Sequence, residues 1–239
     1  MSDLSRVKAL LFDVFGSVVD WRGSLIRDLT DYGRKIGVAA DWALLVDEWR
    51  ANYQPSMEQV RAGKRPWTKL DDLHRETLDM LIARLKIEGL DEAARRHVNL
   101  GWHRLDPWPD AVAGLTRLKR KYVIGTLSNG NLGLLAAMAK RAGLPWDVIL
   151  SAELVRAYKP QPQSYLGAAE LLSMAPDEVM LCAAHNGDLA AARKCGLRTA
   201  FWPRPTEYGP RQTPRDLAAD SDWDVVAADM VDLAARLGC

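Results

Sequence analysis

The second half of the chain alternates short apolar runs with amphipathic segments, and this alternation constrains the fold more than any other feature of the sequence. Three runs are typical of buried strands, at residues 122–127, 147–150 and 179–184. Helical patterns occupy residues 109–120, 132–142, 163–174 and 188–195. Strands that are buried on both faces and joined through helices form parallel sheets covered by helices on both sides. The sequence therefore predicts an α/β fold with a doubly wound parallel sheet, which short strands at 199–202 and 225–226 and a helix at 230–237 would complete.

The first predicted strand stands apart from the others in sequence. Residues 7–12 form an apolar run that ends at Asp13, and Gly16-Ser17 follows as a turn. Residues 23–100 then carry apolar side chains at spacings of three and four, with no strand-like alternation. We therefore predict a Rossmann-like core made of residues 1–20 and 104–239, with a helical cap of residues 21–103 inserted after the first strand.

Composition and charge exclude several classes of partner. A net charge of +1 gives no electrostatic basis for binding nucleic acid or an anionic membrane. No stretch approaches the roughly 20 apolar residues of a membrane helix, and Asp13 interrupts the one apolar run near the start that could resemble a secretory signal. The three cysteines show neither paired spacing nor a metal pattern. We expect a cytoplasmic protein that binds neither nucleic acid nor membrane.

Polar side chains follow the strands at four places. These are Asp13, Ser128-Asn129, Lys159 and His185-Asn186-Asp188. Each has a simpler explanation, because serine and asparagine favour turns, a loop lysine usually faces solvent, and Asp188 could cap the helix that follows it. The carboxyl ends of parallel strands meet at one crevice, where ligands bind. The convergence of four such groups favours a catalytic site.

The order of these groups resembles the four motifs of the haloacid dehalogenase superfamily, over nearly the whole chain. The resemblance implies that Asp13 is a nucleophile. Phosphatases of the superfamily carry a second acid two residues later, where this chain has Phe15, and a metal-binding acid where it has Ala184. Because Mg²⁺ requires several oxygen ligands, these replacements argue against a magnesium-dependent phosphatase. We predict no metal and no cofactor.

The same motifs are similar to those of the metal-independent 2-haloacid dehalogenases. That branch has an aromatic residue, glycine and threonine or serine after its nucleophile, an arginine after a tryptophan in its cap, and a tyrosine six residues after its lysine. The matching segments here are Asp13-Val14-Phe15-Gly16-Ser17, Trp49-Arg50 and Lys159 with Tyr165. Arg50 could equally be a surface helix residue, and Tyr165 a core aromatic.

The resemblance implies a two-step reaction on a small halogenated carboxylate and water. Asp13 attacks the carbon that bears the halogen, and water then attacks the resulting ester to release a 2-hydroxy acid of inverted configuration. The predicted catalytic residues are Asp13, Ser17, Lys159, His185 and Asp188. The predicted substrate- and halide-binding residues are Val14, Phe15, Arg50, Ser128, Asn129, Tyr165 and Asn186.

Two residues depart from the familiar pattern of that branch. His185 replaces an asparagine that helps to place the hydrolytic water, and Gly187 replaces a bulky tryptophan. A histidine could act as the base because its pKa lies near neutrality, or it could be a hydrogen-bonded spacer. Whether His185 or Asp188 activates water stays open, as do the halide, the enantiomer and the oligomeric state, for which relatives suggest a homodimer. The alternatives are a magnesium-dependent hydrolase of small phosphate esters and a non-catalytic carboxylate-binding protein.

Overall fold

The computed structural model describes residues 4–210 and 213–239, and a six-stranded parallel sheet lies at its centre. The strands are β1 (Ala9–Phe12), β4 (Val123–Ser128), β5 (Val148–Ser151), β6 (Val179–Ala183), β7 (Arg198–Phe201) and β8 (Val225–Val226). Their order is β5-β4-β1-β6-β7-β8, and each neighbouring pair is parallel. The predicted doubly wound parallel sheet is confirmed.

Strand β1 lies where the strand order reverses, since the chain continues from it to β4 and β5 on one side and returns to β6 on the other. Phe12 is in register with Thr126 of β4 and Cys182 of β6, and all four residues of β1 are buried. Asp13 therefore leaves the middle of the sheet at the switch point, where α/β sheets of this kind bind their ligands.

Helices cover the sheet, and further helices form a separate group before β4. Those next to the sheet are α6 (Ala111–Leu118), α7 (Leu132–Ala142), α8 (Ala152–Val155), α9 (Pro162–Leu171), α10 (Asn186–Lys194) and α11 (Met230–Arg236). The earlier group comprises α1 (Trp21–Ile36), α2 (Trp42–Ala51), α3 (Tyr53–Arg61), α4 (Leu70–Arg84) and α5 (Glu92–Asn99). Helix α7 has the predicted bounds, because Gly143 adopts a left-handed φ of 65° that ends it.

A two-stranded antiparallel ribbon connects the early helices to the sheet. It pairs β2 (Val19–Asp20) with β3 (Asp106–Pro107), and the sequence did not predict it, because two-residue strands carry no periodicity. The ribbon lies next to the predicted boundaries of the cap. The division into a core of residues 1–20 and 104–239 and a cap of residues 21–103 remains a proposal.

An aromatic cluster, which consists of Trp21, Trp49, His74 and Trp102, fills the interior of the early helices. The His74 ring stacks on Trp102 at 4.3 Å, and the Trp49 indole N–H donates to the His74 carbonyl at 3.0 Å. The rings of Trp102 and Phe15 also pack nearly perpendicular to each other, with their centroids 5.8 Å apart. The cluster thus supports the segment that follows Asp13. No helix of the described residues has the length and hydropathy to cross a membrane.

Candidate active site

Asp13 follows β1 and is held on both carboxylate oxygens by donors from other parts of the chain. Its backbone N–H donates to the Cys182 carbonyl at 3.1 Å, which extends the sheet by one residue. Oδ2 accepts from the Ser17 hydroxyl at 2.7 Å and contacts His185 Nδ1 at 3.0 Å. Oδ1 accepts from Lys159 Nζ at 2.9 Å. Only 7% of Asp13 is exposed, so these contacts replace nearly all of its hydration.

Lys159 lies between two carboxylates. Its ammonium donates to Asp13 and, at 2.5 Å, to Asp188 Oδ2 in the first turn of α10. The Lys159 backbone N–H donates to Asn129 Oδ1 at 2.8 Å, which fixes the loop after α8 against the end of β4. The hydroxyl of Tyr165 donates to the other Asp188 oxygen at 2.6 Å. One chain of hydrogen bonds thus connects Tyr165, Asp188, Lys159 and Asp13.

His185 bridges Asp13 to a second carboxylate that the sequence did not identify. Its Nε2 lies 2.9 Å from Glu207 Oε2, and Glu207 is 3% exposed. The other Glu207 oxygen accepts from the Trp21 indole N–H at 3.1 Å. Gly16 has a φ of +89°, and a Cβ there would lie 2.2 Å from Glu207 Oε1, so only glycine leaves room for this carboxylate.

Negative and positive groups alternate around Asp13, and their charges shift one another's pKa values. Burial alone would raise the pKa of Asp13, but the charges of Lys159 and His185 hold it far below its usual range. Burial opposes the charged form of His185, yet Glu207 and Asp13 raise its pKa well above the usual value. Glu207 has a lowered pKa, since His185 outweighs the effect of burial. The resting site therefore holds an ionised Asp13 beside a protonated His185.

A cavity of about 650 Å³ opens beside Asp13, and Phe15, Arg50 and Asn129 line it together with Lys159 and His185. The Arg50 guanidinium lies 4.3 Å from the centre of the Tyr53 ring and 5.4 Å from that of Trp21. The buried Arg50 Nε has no hydrogen-bond partner among the described residues. Arg50 thus supplies a positive charge to the lining of the cavity that Asp13 also lines.

Four residues predicted to bind substrate do not line this cavity. Val14 is 1% exposed, and the Ser128 hydroxyl accepts the Gly130 backbone N–H. Tyr165 is fully buried behind Asp188 and supports that carboxylate. The Asn186 amide departs most from its predicted contact with substrate, because it bonds Asp216, the Ala218 carbonyl and the Trp223 indole.

The sequence could not have revealed Glu207. It lies within the proline-rich segment of residues 203–214, where neither helical nor strand periodicity exists. The indirect signals were the unusual His185, which needs a partner, and Gly16, whose conformation the structure explains. No group of three or more histidine, cysteine, aspartate or glutamate side chains suited to a metal ion occurs in residues 4–210 and 213–239.

Comparisons with known proteins identify the family of this chain. A family model for haloacid dehalogenase-like hydrolases matches residues 7–196. The (S)-2-haloacid dehalogenase of Xanthobacter autotrophicus is 30% identical over 199 residues, which cover 81% of this chain and 74% of that protein.

Two solved structures extend the similarity to nearly the full length. The crystal structure of a defluorinating L-2-haloacid dehalogenase aligns with a TM-score of 0.94 and 49% identity, covering 98% of this chain and 96% of that one. That of another L-2-haloacid dehalogenase aligns with a TM-score of 0.93 and 51% identity, covering 97% and 98%. The predicted resemblance is confirmed: the chain belongs to the haloacid dehalogenase-like hydrolase family.

Proposed function

We propose that this protein hydrolyses the carbon–halogen bond of small 2-haloalkanoic acids, of the haloacetate and 2-halopropionate type, to 2-hydroxy acids. The observation that carries the proposal is a buried, ionised Asp13 that lines one cavity together with Arg50, with Phe15 in place of a second acid. The (S)-2-haloacid and L-2-haloacid dehalogenases among its relatives support the same substrate class.

In the first step Asp13 displaces the halide. Oδ1 accepts one hydrogen bond and Oδ2 two, so Oδ1 keeps the more available lone pair for attack on carbon 2 of the substrate. The new carbon–oxygen bond forms as the carbon–halogen bond breaks, and the halide leaves with the electron pair. Arg50 and the Asn129 amide stabilise the charge that collects on the halide. In-line displacement inverts the configuration at carbon 2.

The second step regenerates Asp13, and we propose His185 as its base. Esterification removes the negative charge of Asp13, one of the two carboxylates that hold the proton on His185. The proton on Nδ1 then passes to solvent, while Nε2–H continues to donate to Glu207. The free Nδ1 takes a proton from water as the water oxygen attacks Cγ of the ester.

The ester then collapses by cleavage at its acyl carbon. The Ser17 hydroxyl stabilises the negative charge on Oδ2 of the tetrahedral intermediate. The Cγ–Oδ1 bond then breaks, the departing alkoxide takes the proton that Nδ1 of His185 accepted, and the 2-hydroxy acid leaves with the oxygen that came from Asp13. The remaining proton of the attacking water passes to Nδ1, which restores the carboxylate of Asp13 and the protonated His185. Asp188 keeps Lys159 in place rather than activating water, because both of its oxygens are engaged by Lys159 and Tyr165.

We propose that the reaction needs no metal. The Lys159 ammonium already lies between the carboxylates of Asp13 and Asp188, where it supplies the positive charge of the site. A halide-release assay in the presence of EDTA, run beside a phosphate-release assay, separates this proposal from a magnesium-dependent phosphatase. Metal-dependent phosphate release without halide release would contradict it.

The covalent step is tested by Asp13→Asn and by isotope. The variant should release no halide above background, because an amide oxygen is a poor nucleophile. A single turnover of the native enzyme in ¹⁸O-water should label the Asp13 side chain, since water attacks its carbonyl. Label found only in the product would show that water attacks the substrate directly.

The substrate series should include fluoroacetate, since one similar protein is a defluorinating dehalogenase.

We also propose a cytoplasmic location and a homodimer. The three cysteines are free thiols, which suits a reducing compartment.

A further inference from the structure

A second cavity of about 530 Å³ lies outside the catalytic one, between helices α9 and α10. Pro160 and Gly187 line both cavities, so the two meet at these residues. We call the second cavity the α9–α10 groove. It borders the space beside Asp13 at these two residues, and the reaction proposed above does not use it.

The walls of the α9–α10 groove are apolar over most of their length. Ala190, Ala191 and Lys194 follow Gly187 at spacings of three, four and seven residues, so they lie along one face of α10. Pro162 and Leu166 face them from α9. At about 1.5 Å per residue, the wall from Gly187 to Lys194 is roughly 10 Å long.

Gly187 leaves the border between the two cavities free of a side chain. A Cβ built at this position would meet no atom within 4 Å. Any larger side chain there would project into this empty space at the junction. Leu166 further along is 42% exposed, although it is a large apolar side chain on the groove wall.

We propose that the α9–α10 groove binds the alkyl chain of longer 2-haloalkanoic acids, whose carboxylate and halogen-bearing carbon lie at Asp13. This inference rests on the proposed dehalogenase function and extends its substrate class. An unbranched alkyl chain fits because the wall between Gly187 and Ala191 is apolar. Lys194, the one charged side chain among the described residues of the groove, lies at its far end.

The expected increase in kcat/KM with each added methylene can be estimated from the apolar surface that the groove would bury. Full burial of a methylene contributes about 0.8 kcal/mol, a factor of about four in kcat/KM. The groove is open on one side, so we expect half of that energy, or about twofold per methylene. 2-Bromooctanoate has four more methylenes than 2-bromobutanoate, and its kcat/KM should therefore be about 16-fold higher.

The test measures bromide release from 2-bromopropionate, 2-bromobutanoate, 2-bromohexanoate and 2-bromooctanoate below their micellar concentrations. Ala191→Trp fills the groove beyond the catalytic cavity. This variant should abolish the increase in kcat/KM with chain length. Its kcat/KM for 2-bromopropionate should stay within about twofold of the native value. Leu166→Ser is a second variant that keeps the test valid if the tryptophan variant does not fold, and it should reduce the gain per methylene.

Leu154→Ser is the matched control, since Leu154 is 45% exposed but lies outside the groove. It should keep the native dependence on chain length. A flat or falling kcat/KM along the series in the native enzyme would overturn the inference while leaving dehalogenation intact. Absence of bromide release from every substrate would instead refute the proposed function.

A second copy of this chain is the competing occupant of the groove. Size-exclusion chromatography with light scattering distinguishes it from an alkyl chain. If Ala191→Trp or Leu166→Ser dissociates an oligomer and leaves the chain-length dependence unchanged, the groove is a subunit interface and the inference is wrong. If these variants keep the native mass but lose the increase in kcat/KM with chain length, the inference is supported.

Discussion

Replacement of Glu207 by glutamine should separate the two steps of the reaction. The Glu207 carboxylate lies 2.9 Å from His185 Nε2 and accepts the Trp21 indole N–H with its other oxygen. In Glu207→Gln, the amide oxygen must remain toward Trp21, whose N–H needs an acceptor. The amide nitrogen then faces His185 Nε2 as a donor, and His185 carries its proton on Nδ1 instead. The position that should act as base is thereby blocked.

The magnitude follows from the lost base and the lost charge. General base catalysis contributes about 10²–10⁴-fold, so we expect kcat to fall by about 10³. Two unit charges about 3 Å apart interact by roughly 5 kcal/mol at an effective dielectric of 20 before desolvation is subtracted, so the pKa of His185 should fall as well. The first step should change less than about threefold, because Nδ1–H still donates to Asp13 Oδ2.

Rapid-quench kinetics with mass spectrometry of the protein provides the assay. Glu207→Gln should release one equivalent of halide per site in a burst and accumulate the Asp13 ester. Glu76→Gln, which makes the same change in a surface ion pair with Arg65, should behave like the native enzyme. An unchanged kcat, or a slow first step with no ester, would refute the role of His185 as base.

Two further variants test Arg50 in helix α2 and His74 in helix α4. Arg50→Met should slow single-turnover halide release by about 100-fold, as expected for loss of a donor to a developing anion, and an unchanged rate would remove Arg50 from the halide site. Burial lowers the pKa of His74 from 6.5 to about 3, so the unfolded chain takes up this proton at a higher pH than the folded protein does. The free energy of unfolding should therefore decline as pH falls from 6.5, by roughly 3 kcal/mol at pH 4. His74→Phe should lose that part of the decline in urea titrations at the two pH values, and an identical pH dependence would contradict the argument.

The sequence was most informative where one local pattern determines one feature. Buried strand runs and the glycine at residue 143 predicted the sheet and helix α7, because burial and backbone conformation are local requirements. Lys159 and Asp188 were predicted for the site, and the structure pairs Lys159 with Asp13 and Asp188 with Lys159.

Features that depend on contacts between distant parts of the chain could not be predicted from local sequence patterns. Glu207 reaches His185 from an irregular loop 22 residues away in sequence, and no periodicity points to it. Asn186 follows a strand as a substrate-binding residue would, but its amide bonds the loop around Asp216. Side-chain direction at a strand end depends on which loop packs there, which the sequence does not reveal.

The ribbon of β2 and β3 also bears on how such a protein can diversify. Asp20 and Asp106 are paired, so the two points where the chain leaves and rejoins the sheet lie side by side. An insertion between adjacent points adds little loop-closure entropy, which grows only slowly with loop length. The helices between residues 20 and 106 could therefore be exchanged for another set without rebuilding the sheet that carries Asp13. New substrate pockets would then arise by replacing one continuous segment, while Asp13, Ser17, Lys159 and Asp188 stay in place because they lie outside it.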